Sequence, residues 1–135
     1  MKITPVLIVE EIEKSLSFWI DRLGFTKTVD VPEGDRLGFA ICVGDGAELM
    51  FQSAESVRKD APQFLPDAGT GKAGGRPSPG NVGLFIEVDD FEDLKKRLAG
   101  YPIALPERTT FYGMREIGVF EPGGHTVVFA ARAGA

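Results

Sequence analysis

Tyr112-Gly113-Met114-Arg115-Glu116-Ile117-Gly118-Val119-Phe120-Glu121-Pro122-Gly123-Gly124-His125-Thr126-Val127-Val128-Phe129 decides how the rest of the sequence is read. Residues 116–120 and 126–130 are rich in Val, Ile and Phe, which fit a pleated surface. Between them, Pro122 fixes φ near −65° and the glycines tolerate positive φ, so the chain reverses. The stretch is a β-hairpin. A shorter copy surrounds Gly44-Asp45-Gly46, and the two copies define the architecture.

Outward from the hairpin, residues 82–88 read as a strand. Phe91, Leu94 and Leu98 recur at helical spacing, Gly100 ends that helix, and residues 103–105 form a short strand. The first half follows the same plan. Residues 3–9 form a strand, and Ile12, Leu16, Trp19, Ile20 and Leu23 make a helical stripe that stops at Gly24. Strands follow at 25–31, 37–43 and 47–52, with a turn at 32–35. Val9-Glu10-Glu11-Ile12-Glu13 is echoed by Val88-Asp89-Asp90-Phe91-Glu92. Such self-similarity marks an internal repeat. The expected fold class is α+β: two βαβββ modules, residues 1–52 and 82–135, forming a curved eight-stranded mixed sheet. The helices lie on its convex side and a concave pocket on the other. Residues 53–81 join the modules, with a helix cap at Ser53 and a Gly/Pro-rich loop at 67–81.

The chain has 135 residues, 43% of them hydrophobic and 26% charged, as in a soluble domain. No apolar run approaches the ~20 residues of a bilayer span, and no secretory signal is visible. One cysteine, Cys42, precludes an internal disulfide framework and suits a reducing cytoplasm. The net charge of −5 argues against nucleic-acid binding and suits either simple solubility or a cationic ligand.

Residues 4–19, followed by Leu23-Gly24-Phe25, resemble the opening of the vicinal oxygen chelate superfamily, which includes glyoxalase I, bleomycin-resistance proteins and extradiol dioxygenases. Glu121-Pro122-Gly123-Gly124-His125 resembles its hairpin turn, and Glu48-Leu49-Met50-Phe51-Gln52 its fourth strand in bleomycin-resistance-like members. The resemblance implies homodimers with pockets formed partly at the subunit interface. It also implies a divalent metal held from the first, fourth, fifth and eighth strands. Carried over, those positions are Thr4, Met50, Gly83 and Val128, which supply no adequate donor set. No metal and no cofactor are therefore expected. His125, the single histidine, reads as a turn residue.

Strand parity from Met50 and Val128 puts Val6, Ile8, Phe39, Ile41, Phe85, Glu87, Arg115, Ile117 and Val119 on the concave face. Glu48 and Gln52 either line the cup or lie solvated at the strand ends. Tyr112 either caps the mouth or packs on the surface. Arg115 either pairs with Glu48 or Glu87 or takes an anionic ligand group. The candidate lining set is Phe39, Glu48, Met50, Gln52, Phe85, Tyr112, Arg115 and Val128. Trp19 is expected in the core and Cys42 beneath the helices. The function expected is a metal-free protein of the bleomycin-resistance type that sequesters a small organic ligand without catalysis. The alternative is a glyoxalase- or dioxygenase-like enzyme with an atypical metal site.

Overall fold

The structure, a computed structural model, describes residues 1–64 and 82–134. The Gly/Pro-rich loop expected at 67–81 lies outside the described residues. Two compact units emerge. The first carries β1 (Val6–Val9), α1 (Ile12–Leu16), a π-helical segment (Ser17–Arg22), β2 (Thr26–Glu33), β3 (Arg36–Gly44), β4 (Ala47–Ser53) and α2 (Ala54–Asp60). The second carries β5 (Gly83–Glu87), α3 (Phe91–Arg97), β6 (Ile103–Thr109), β7 (Met114–Phe120) and β8 (Thr126–Arg132).

Each unit holds one four-stranded mixed sheet, and the two orders, β1-β4-β3-β2 and β5-β8-β7-β6, are equivalent. In both, the first strand runs parallel to the last and the remaining pairs are antiparallel. The α+β class and the repeat read from the sequence are therefore present, with backbone pairing that divides the eight strands into two sheets. Pro32, expected in a turn, instead lies in β2, where a register irregularity at an edge strand accommodates its missing N–H. β6 runs four residues beyond the expected 103–105.

Side-chain alternation gives each sheet a closed and an open face. On the first, Leu7, Val9, Ala40, Cys42, Leu49 and Phe51 are buried, whereas Ile8, Phe39, Ile41, Met50 and Gln52 alternate with them and are half-buried. The helical layer explains the difference. Trp19 and Phe18 are fully buried, and the Trp19 ring meets Phe25 at 5.2 Å and Phe51 at 6.4 Å between centroids. Trp19 and Cys42 are thus core residues, as expected. The helical stripe itself differs from the simple 3.6-residue pattern. Leu23 N–H donates to Phe18 O (3.2 Å), a five-residue step that widens the turn. The widened turn lets the adjacent Phe18 and Trp19 both face inward, leaving Ile20 and Leu23 half-buried.

The later helices start where side chains cap them. Ser53 Oγ accepts from Ser56 N–H (3.1 Å) and Asp90 Oδ1 from Asp93 N–H (3.0 Å). Among the described residues no helix is long and apolar enough to cross a membrane.

Candidate functional site

The open face of each sheet is a candidate site, and turn length determines which residues reach it. β3 and β4 meet through a two-residue turn, Gly44 pairing with Ala47, so Ile41 pairs with Met50 and Phe39 with Gln52. Val6 and Ile8 lie beside Met50 and Gln52 across the parallel ladder. Phe39, Glu48, Met50 and Gln52 therefore share the open face of the first sheet. Gln52 Nε2 donates to Ser56 Oγ (3.2 Å). Glu48 accepts from Lys2 Nζ (2.9 Å) and from Thr4 Oγ1 (3.4 Å), and the Lys2 hydrogen bond holds its carboxyl below the usual range.

β7 and β8 are joined by five residues, 121–125, so Phe120 pairs with Thr126, Gly118 with Val128 and Glu116 with Ala130. Phe85 and Glu87 join this face beside Val128 and Ala130. The phase corrects part of the sequence reading. Arg115, Ile117 and Val119 alternate away from Val128 and lie on the closed face with Val127 and Phe129. The physical reason is the period of two. A turn that differs from the first hairpin's by an odd number of residues exchanges the faces of the partner strand.

Arg115 consequently faces α3. Its guanidinium lies 4.4 Å from the Phe91 ring centroid and donates to Glu92 (2.8 Å) and Glu107 (2.7 Å). Of the two alternatives, the structural ion pair is realised, with partners other than Glu48 and Glu87. Glu116, which sequence reasoning passed over, takes the place on the open face. It is 3% exposed, accepting from Arg108 Nε (3.0 Å) and Tyr112 Oη (3.2 Å). Tyr112 is half-exposed at the β6–β7 connection beside fully exposed Phe111. The signal for Glu116 lay in the five-residue loop, which required counting to the Glu121–His125 pair.

That pair closes the turn. Glu121 N–H donates to His125 O (2.9 Å), and His125 N–H to Glu121 Oε1 (3.3 Å). His125 is buried, and its Nδ1 accepts from Val82 N–H (3.1 Å), so its ring ties the turn to the start of β5.

The donors suit a divalent metal poorly. The residue beside Thr4 is Glu48 rather than Met50, and Gly83 lies beside Thr126. The carried-over positions and these neighbours supply one carboxylate, already engaged by Lys2. Among the described residues no three His, Cys, Asp or Glu side chains are grouped to hold an ion.

The family model described as Glyoxalase/Bleomycin resistance protein/Dioxygenase superfamily matches residues 3–129. The chain belongs to this superfamily. Superfamily structures similar to the chain span several chemistries. The bleomycin-binding protein of bleomycin-producing Streptomyces verticillus, solved with copper(II)-bleomycin, is 26% identical, with TM-score 0.58 over 100% of this chain and 97% of that one. A glyoxalase/bleomycin resistance protein/dioxygenase from Nocardioides is 22% identical, with TM-score 0.68 over 100% and 85%. A lactoylglutathione lyase from Agrobacterium tumefaciens is 14% identical, with TM-score 0.68 over 97% and 92%. No curated protein matches the sequence.

Proposed function

We propose that this superfamily member is a metal-independent binding protein that holds a small organic ligand against an open sheet face. The observation that carries the reading is the character of each sheet's open face. Phe39, Ile41 and Met50 on the first sheet are half-buried, and Phe85 on the second is 55% exposed, with few polar groups among them. Apolar surface left partly open, with sparse polar groups to orient a guest, is the composition of a ligand site. Similarity to a bleomycin-binding protein supports an organic, drug-like guest. The donor set described above supports binding without a metal. The net charge of −5 favours a neutral or cationic guest over a polyanion. Superfamily membership supports a homodimer, and the single cysteine a reducing cytoplasm.

A thermal-shift screen against cationic antibiotics, small aromatic compounds and divalent metals, with elemental analysis of the purified protein, tests the reading. Organic ligands are expected to raise the melting temperature, by about 2.7 kcal/mol of stabilisation at 100-fold excess over Kd. A stoichiometric divalent metal, or a response to metals alone, would move the assignment to a glyoxalase- or dioxygenase-like enzyme. Light scattering in solution tests the dimer.

A further inference from the structure

Arg108 is aimed by an irregularity in its strand. Leu105 pairs with Gly118 and Arg108 with Glu116, so β6 advances three residues while β7 advances two. This bulge reverses the alternation. Glu107 faces α3 and its partners Lys95 and Arg115, while Arg108 turns to the open face. Bulges commonly re-aim side chains in this way.

The guanidinium is also held in place. Glu116 accepts from Arg108 Nε at 3.0 Å, and its second oxygen accepts from Tyr112 Oη at 3.2 Å, so both carboxylate oxygens are engaged. An exposed arginine ordinarily loses much rotamer entropy when it binds anything. Here a carboxylate that is 3% exposed fixes the orientation beforehand. The terminal nitrogens of Arg108 have no partner among the described residues, and the side chain is 56% exposed. A planar fork of N–H donors therefore points outward. The same carboxylate holds Tyr112, so phenol and guanidinium lie side by side, and Phe111 meets the Tyr112 ring edge-on at 5.0 Å.

We propose that Arg108 recognises the carboxylate of an aromatic ligand, whose ring packs on Tyr112 and Phe111, the phenol and Glu116 serving to position the fork. The proposal rests on the small-molecule reading above and names the ligand's class. The fork's geometry matches a carboxylate through two parallel hydrogen bonds. The rings supply the apolar contact. The overall charge of −5 disfavours polyanions, so within anionic ligands a single carboxylate is the expected case.

Calorimetric titration of the full chain with 2-naphthoate, 2-naphthamide and 2-naphthylmethylammonium tests the proposal. The carboxylate is expected to bind at least about tenfold more tightly than the amide, as charge-assisted bonds require. Arg108→Lys keeps a charge beside Glu116 but removes the fork, and Arg108→Gln removes both. Each is expected to bring the two affinities within about threefold, with circular dichroism showing that the variants are folded. Tyr112→Ala is expected to weaken acid and amide together. Equal binding of acid and amide, an unchanged preference in the folded Arg108→Lys protein, or no binding of the acid would overturn the proposal. Binding of the ammonium probe without the acid would do so too, while leaving the small-molecule reading intact.

Discussion

The guanidinium of Arg115 lies 4.4 Å from the centre of the Phe91 ring, joining β7 to α3. The same guanidinium bonds Glu92 and Glu107, so its charge is directed to the closed side of the sheet. Arg115→Gln is expected to lower the melting temperature and leave the naphthoate preference unchanged. Titration beside Arg108→Lys checks this. A loss of preference in the Arg115 variant would mean that β7 has the opposite phase.

Acid should weaken this network. Glu107 is held below its ordinary value of 4.5 first by the Lys95 hydrogen bond and then by that of Arg115, and Glu92 first by the Arg115 hydrogen bond. The unfolded chain therefore takes up these protons at higher pH than the folded one. The stabilisation is present above 4.5 and is lost as pH falls through the lowered folded values. Both carboxylates are accessible to solvent, so the loss is small. Urea midpoints measured between neutral and acid pH should fall less steeply in Glu107→Gln than in the parent chain.

Cys42 lies on the closed face of the first sheet, beside Leu49, and burial pushes its thiol above the ordinary value of 9.0. Thiol reagents should modify it slowly in the native protein and rapidly in urea, followed by absorbance. Cys42→Ser should cost about 1–3 kcal/mol, because it sets a hydroxyl among apolar neighbours.

Gly44 lies under Phe25, and a Cβ there would come within 2.6 Å of the ring. Gly44→Ala should therefore cost about 1–3 kcal/mol by displacing a ring that packs on Trp19. Gly118→Ala would bring a Cβ to 2.9 Å from Leu105 Cβ, at the start of the β6 bulge. Its expected effect is weaker naphthoate binding as well as lower stability, measured by calorimetry and thermal melting.

The repeat, the order of elements and the first sheet's open face are legible in the sequence because its hairpin closes over two residues. Ile41 and Met50 then follow from alternation alone. The second sheet is harder to read for two reasons. A five-residue connection sets the phase of β7, and a bulge resets that of β6. Neither leaves a mark in composition. Arg115 and Glu116 are adjacent charged residues, and either could face the helix until the backbone bond between Glu121 and His125 fixes the count. The stripe of α1 is blurred for a related reason, since the π-helical step inserts Phe18 beside Trp19.

The β6 bulge makes chain length a determinant of chemistry. The bulge absorbs one residue, so Arg108 keeps the face of Leu105 although it lies three positions on; without it, simple alternation from Leu105 would carry Arg108 toward α3 with no change to β7. An insertion or deletion in β6 that no bulge absorbs turns every side chain beyond it to the other face. Homologous hairpins that differ only by such an insertion or deletion could therefore diverge in what they recognise faster than their side-chain identities suggest.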